Sequence, residues 1–419
     1  MSHDPQNGEG ANVQGRQPSV VPANEAPRVR PAAGHGLGHR PLPPLSLYVH
    51  VPWCVRKCPY CDFNSHEAGQ SLPEEAYLQA LQADLEQALP LIWGRQVISV
   101  FIGGGTPSLL SDRAIDQMLT TFRAYLNLLP DAEITLEANP GTAEAGRFEA
   151  YARSGVTRLS LGIQSFNDAA LRALGRIHDS RQARAAIDMA QKAASQVNLD
   201  IMYALPGQTL EGCKQDLAAA MSYGTGHLSL YHLTLEPNTV FAKYPPPLPD
   251  DDLAAQMHEY IIEITAAHGW EQYEVSAYAR PGCRSLHNQN YWTFGDYLGI
   301  GPGAHGKLSF HDRILRQARH RSPESWISRA LQRDGSHIAE ERVVNPQEIG
   351  FEFMLNALRL KEGVDMSLFS AHTGLPVTAV LQALKRLEER NLVSLKAGRL
   401  RTTEMGWRYL NNVLQEFLD

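Results

Sequence analysis

The sequence predicts an α/β fold in which parallel βα units close a full or partial barrel, followed by a smaller C-terminal domain. Three observations carry this expectation. Short apolar runs alternate with stretches of helical periodicity. Glycine- and proline-bearing motifs follow those runs in register, where the βα loops of a barrel begin. Three of the chain's five cysteines, Cys54, Cys58 and Cys61, crowd the first of these loops.

Taken in order, residues 1–44 are rich in Pro, Gly, Ala and Asn and hold few large apolar side chains. Such a segment buries too little surface to offset its ordering entropy, so a disordered tail is expected. Structure should begin with the run from Leu45 to Val51, which ends at Pro52. Further strands are predicted at Val97–Ile102, Glu133–Glu137, Arg158–Leu161, Val197–Tyr203 and His227–Leu233. Between them, helical spacing is found over Glu74–Leu89, Ala114–Leu128, Arg181–Ser195 and Leu210–Tyr223. This places a barrel with its extension over 45–310 and a linker region over 311–345. The C-terminal unit, 346–419, shows helical faces over Ile349–Leu360 and Val377–Arg390. A hairpin turning at Ala397-Gly398 and a closing helix follow, a winged-helix-like pattern. Its basic residues are interrupted by Glu388, Glu389 and Glu404, so a solvated face is expected rather than a nucleic-acid site.

The 419 residues are 43% hydrophobic and 20% charged, with a formal charge of -7, which gives no general attraction to nucleic acid or anionic lipid. No apolar run approaches the roughly eighteen residues of a membrane span, and no apolar signal core opens the chain. A cytoplasmic protein is expected.

The spacing C-x3-C-x2-C sets three soft thiolates on one short loop. Thiolates at this density suit an iron–sulfur cluster or zinc. A closed structural zinc site needs four protein ligands, whereas a tetranuclear cluster on three cysteines keeps one iron open. An open iron can take the amine and carboxylate of S-adenosylmethionine (SAM). Gly103, Gly104 and Gly105, with Thr106, follow the second strand and can bring backbone groups close to a ligand. The stretch lacks the Gly-Lys-Ser/Thr ending of a phosphate loop. Glu137, at a strand end, can accept from a ribose, pair with a cation, or stand as a surface carboxylate. Gln164, Arg176 and Asp200 are polar where a purely structural barrel prefers Val, Ile or Leu. Tyr60, between two cysteines, can pack on an adenine ring or serve as an ordinary aromatic. Cys213 and Cys283 are expected to be ordinary small residues.

In these motifs the chain resembles radical-SAM proteins, in the branch related to oxygen-independent coproporphyrinogen III oxidase. The run Tyr48-Val-His-Val-Pro-Trp-Cys54, the cysteine triplet, GGGTP, EANP, LSLGIQSF, GRIHD and LDIMYALPGQT stand in the same order as that branch's blocks. The resemblance covers residues 45–419 and implies a partial (β/α)6 barrel with an added C-terminal domain. It implies a [4Fe-4S] cluster on Cys54, Cys58 and Cys61, with Tyr48, Gly104 and Glu137 touching the SAM beside it. Tyr60, Gly105, Thr106, Gln164, Arg176 and Asp200 match positions of a second SAM site. The oxidases carry a fourth cysteine two places after the third, where this chain has Phe63. The block His287-Asn-Gln-Asn-Tyr-Trp292 is similar to the HNxxYW block of the HemW-type haem chaperones. That subgroup implies haem binding and transfer to acceptor proteins, with His287 as a haem ligand and His50, His232 and His305 as competitors. A homodimer is compatible with the resemblance. An oxidase acting on coproporphyrinogen III is the alternative.

Overall fold

The computed structural model of the chain describes residues 41–141 and 146–418; the expected tail, up to residue 40, lies outside them. Six parallel strands form its centre: β1 (Leu45–Val51), β2 (Gln96–Gly104), β3 (Asn127–Ala138), β4 (Arg158–Gln164), β5 (Gln196–Tyr203) and β6 (His227–His232). They lie side by side in chain order, each paired in parallel with the next. Leu47, Val49, Val51, Val100, Ile102, Leu136, Leu159, Leu161 and Leu199 are buried on these strands against the flanking helices, alternating with polar residues such as Thr135, Ser160 and Asn198 that face the barrel interior.

Helices at Glu74–Ala88, Asp112–Tyr125, Ser180–Ala193 and Leu210–Ser222 supply the crossovers. The caps are local: Ser111, Asp179 and Thr209 each accept a backbone N–H of the first turn, and Asp179 with Gln182 forms a reciprocal pair. β3 starts earlier than predicted. Asn127 and Leu128 already pair with Gln96 and Val97, and Pro130 and Asp131 hide this start in the sequence.

The sheet does not stop at six strands. Strand Asp296–Ile300 joins parallel to β1, and His305–Ser309, Ile314–Arg319 and Ile338–Val343 continue it antiparallel. On the other edge, Ala277–Ala279 pairs antiparallel with β6. The segment 311–345 therefore corrects the expectation of a linker, since it holds two strands and the helix Pro323–Ala330. Buried polar residues disguised it. Arg319 is 2% exposed and donates through Nε and Nη2 to Asp84 Oδ1 at 3.3 and 3.1 Å. Asp84 also accepts from the Gly301 amide and from Trp326 Nε1, and lies 3.1 Å from His337 Nε2. Burial alone would raise the pKa of Asp84, but Arg319 and His337 outweigh it and hold the carboxylate below its ordinary value.

The C-terminal unit has helices Pro346–Ala357, Met366–Thr373 and Leu381–Glu389 and the hairpin Val393–Lys396/Arg399–Thr402, turning at Ala397 and Gly398 as predicted. Its core includes Phe294 and Ile314 from the sheet extension. Arg386 and Arg390 meet Glu416, Arg408 meets Glu259, and Lys361 meets Glu404. No helix among the described residues is long and apolar enough to cross a membrane.

Candidate cluster and cofactor site

β1 delivers the chain to Pro52 at the C-terminal mouth of the barrel, and the cysteine loop lies across that mouth. Cys54, Cys58 and Cys61 are half-buried free thiols. Each has a polar neighbour. Thr106 Oγ1 lies 3.5 Å from Cys54 Sγ, Arg176 Nη1 lies 3.7 Å from Cys58 Sγ, and Ser65 Oγ lies 4.0 Å from Cys61 Sγ. Burial pushes the Cys54 and Cys61 thiols up, so they keep their protons until a metal displaces them. No group of three or more His, Cys, Asp or Glu among the described residues is spaced for a single metal ion. A cube of iron and sulfide is wider than one ion, so its thiolates stand further apart. Three unpaired thiols with hydroxyl and guanidinium donors around them suit such a cluster, because hydrogen bonds to the sulfurs stabilise its negative charge.

The glycines after β2 are required first by the protein itself. Gly104 has φ of +113°, and a Cβ there would meet the His50 ring at 2.6 Å. A Cβ on Gly105 would lie 2.5 Å from the Trp53 carbonyl oxygen, because the Gly105 and Thr106 amides donate to Val51 O and Trp53 O. The strand end is thus sewn to the root of the cysteine loop. The Gly104 amide donates to Glu137 Oε2 at 3.0 Å. Burial, with Asp200 adding to it, raises the Glu137 carboxyl to about 8, and burial raises Asp200 to about 6.

Arg176 ties the remaining residues together, donating through Nη2 to Asn139 Oδ1 at 2.6 Å and to Gly162 O at 2.8 Å. Asn139 Nδ2 donates in turn to Thr106 Oγ1 at 2.9 Å. Gln164 ends β4 with φ of +68° after an irregularity in the β4–β5 pairing, which turns its side chain out of the alternation. Tyr60 packs on Phe241 at 6.4 Å between ring centres. The Tyr48 hydroxyl donates to His50 Nδ1 at 2.9 Å, and His50 Nε2 donates to Asn64 O at 2.8 Å. With both nitrogens engaged and burial lowering its pKa to about 4, His50 is a structural imidazole. Tyr48, Gly104 and Glu137 therefore face one another across β1–β3. Gly105, Thr106 and Arg176 border the cysteine loop, which includes Tyr60, and Gln164 reaches Gly162 beside Arg176.

Asp200 sits deeper, accepting from Ser160 and Asn198 at 3.1 and 2.9 Å. It lines a polar cavity of about 60 Å³ inside the barrel with Thr135, Glu137, Arg158, Ser229 and Tyr231. His287 lies elsewhere. Helix Leu286–Trp292 stops the opposite end of the barrel: Ser285 Oγ and the His287 amide donate to Glu133 Oε1, and Asn290 donates to Ser46. The His287 ring is 4% exposed and stacks on Phe101 at 4.4 Å, and burial lowers its pKa to about 3. In this conformation it offers no edge to a haem in solution. Its Nδ1 has no partner.

Asn139, the bridge between Thr106 and Arg176, was not among the expected site residues. An Asn two places after Glu137, followed by Pro140, was the available signal. Ser160 and Asn198, inward-facing polar residues that hold Asp200, were not expected either.

Strand-end loops of this kind, with a cysteine triplet across a parallel half-barrel, define a radical-SAM protein. A family model described as the radical SAM superfamily matches residues 48–220, and one described as the HemN C-terminal domain matches 344–409. Coproporphyrinogen III oxidase (HemN) of Escherichia coli, described as a radical SAM enzyme, shares the fold, with a TM-score of 0.76 at 23% identity over 90% of each chain. Heme chaperone HemW of Escherichia coli (strain K12) is 46% identical over 90% of this chain and 99% of its own length. That of Haemophilus influenzae is 45% identical over 90% and 98%. A mitochondrial radical S-adenosyl methionine domain-containing protein 1 of Bos taurus is 34% identical over 95% and 93%. The chain belongs to the HemW family.

Proposed function

We propose that this chain is a haem chaperone that binds haem and passes it to acceptor proteins, carrying a [4Fe-4S] cluster and SAM. The observation that carries the reading is its 46% identity to a heme chaperone along nearly the whole of that relative. The oxidase, at 23% identity, shares the fold, which by itself does not carry an activity. Free thiols over the whole chain suit a reducing compartment, and we place the protein in the cytoplasm.

Cys54, Cys58 and Cys61 would hold the cluster. When bound, the cluster and SAM supply one-electron chemistry beyond the reach of protein side chains. The chain's own part is positioning. Tyr48, Gly104 and Glu137 would receive the polar groups of the SAM, with a carboxyl raised to about 8 able to donate as well as accept near neutral pH. Arg176, held by Asn139 and Gly162, keeps a cation beside Cys58 and would steady cluster charge. Tyr60, Gly105, Thr106, Gln164 and Asp200 are assigned to a second SAM. Ligation of haem by His287 requires helix Leu286–Trp292 to leave the barrel floor.

The test is anaerobic purification, cluster reconstitution and titration with haem. Binding near one equivalent per chain is expected. No haem uptake, or turnover of coproporphyrinogen III by the reduced protein with SAM, would replace the carrier by an enzyme.

A further inference from the structure

We propose that haem docks on the apolar rim beside the cysteine loop, with its flat face against Val55, Ile177, Val240 and Tyr244 and its propionates toward Arg56 and Lys243. The inference rests on the haem-carrier reading and assigns it a place. Three segments distant in sequence build this rim, and they converge on Pro59. The Phe241 amide donates to Pro59 O at 3.0 Å. Gly175, at φ of +71°, packs so close that a Cβ would lie 2.7 Å from the Pro59 ring. On the cysteine loop, Lys57 Nζ donates to Phe63 O at 3.3 Å.

Beneath the rim, Leu174, Met202, Leu205, Leu233 and Phe241 form a buried cluster with Tyr60 packed on it, so the platform is firm. Its outer side chains face solvent. Val55 is 50% exposed, Ile177 53%, Val240 57% and Tyr244 66%. Large apolar side chains gathered on neighbouring segments mark an interaction surface more than scattered single ones do. Arg56 and Lys243 are exposed within the same segments, and Asp62 is the carboxylate of the cysteine loop. Lys243 Nζ stands over the Tyr244 ring at 5.2 Å, so apolar surface and cation adjoin there, as an apolar plate bearing two carboxylates requires. Docked there, haem lies at the mouth of the barrel beside the cluster cysteines, whereas His287 stands at the opposite end.

The experiment titrates haem anaerobically into the cluster-reconstituted full chain and compares it with two double variants. Ile177→Asp with Val240→Asp is expected to weaken binding by at least about tenfold. Arg56→Glu with Lys243→Glu is expected to weaken it about threefold or more, with an effect that shrinks at high salt. Cluster absorbance and far-UV circular dichroism should stay as in the wild type, because all four side chains point to solvent. Unchanged haem affinity in the apolar variant overturns the docking site and leaves the carrier reading standing. A wild-type chain that takes up no haem overturns both.

Discussion

Single residues decide how the cysteine loop is anchored. Gly105 is the sharpest case, since a Cβ would press on the Trp53 backbone, which cannot swing away as a side chain can. Gly105→Ala is expected to destabilise the fold by about 1–3 kcal/mol, measured by denaturant unfolding of the apo-protein. The cysteines act differently. Cys54→Ala, Cys58→Ala or Cys61→Ala should each abolish iron–sulfur absorbance, and full iron and sulfide content in any one of them would refute the three-ligand assignment. Buried imidazoles set the acid limit. Burial lowers His50 and His178 to about 4 and His287 to about 3, with Arg176 adding to the shift at His178. The folded pKa values lie below the unfolded value near 6.5, so the unfolded chain binds more protons in acid. The stability these residues contribute is present above about pH 6.5 and is lost as the pH falls toward 4, by up to about 1.4 kcal/mol per pH unit for each histidine. Unfolding of apo-protein at pH 7, 6 and 5 checks this, and replacing His287 with Phe should flatten part of the slope.

At the scale of elements, helix Leu286–Trp292 is a stopper. Its hydrogen bonds go to Ser46 and Glu133, in the strands at the end of the barrel opposite the cysteine loop. His287→Ala is therefore expected to lower stability and leave the haem spectrum unchanged. An altered axial-ligand signature would show instead that the stopper opens to meet haem. The contrast bears on what the sequence made legible. The parallel strands and their order could be read because apolar runs and strand-end motifs repeat in step. The strands at 314–319 and 338–343 could not, because Arg319 is buried against Asp84 from far earlier in the chain and Ile338–Val343 is an exposed, charged edge strand. Gly104, Glu137 and Gln164 could be expected to gather at one end of the barrel, because each stands at a strand end. His287 could not, since a motif names a residue without saying which end of the barrel it occupies.

At the scale of the whole molecule, the C-terminal unit and the sheet extension share a core through Phe294 and Ile314. Removing residues 346–419 should leave these side chains bare and yield an aggregating chain, and the intact protein should unfold in one step, with circular dichroism and cluster absorbance changing together. The buried knot at Asp84 has a bearing on the order in which the protein is made. Its partners Gly301, Arg319, Trp326 and His337 follow it by more than two hundred residues. A chain growing at about 5–20 residues per second leaves the first helix without its anchors for roughly ten seconds or more. During that interval the cysteine loop, twenty-odd residues upstream, has emerged while the barrel around it is unfinished. Nascent chains halted near residue 300 should accordingly be cut by protease within Glu74–Ala88, and those extended past His337 should resist. Asn64, just past the cysteine loop, likewise gains its acceptors, Pro302 O and Arg321 O, only in that late stretch of the chain.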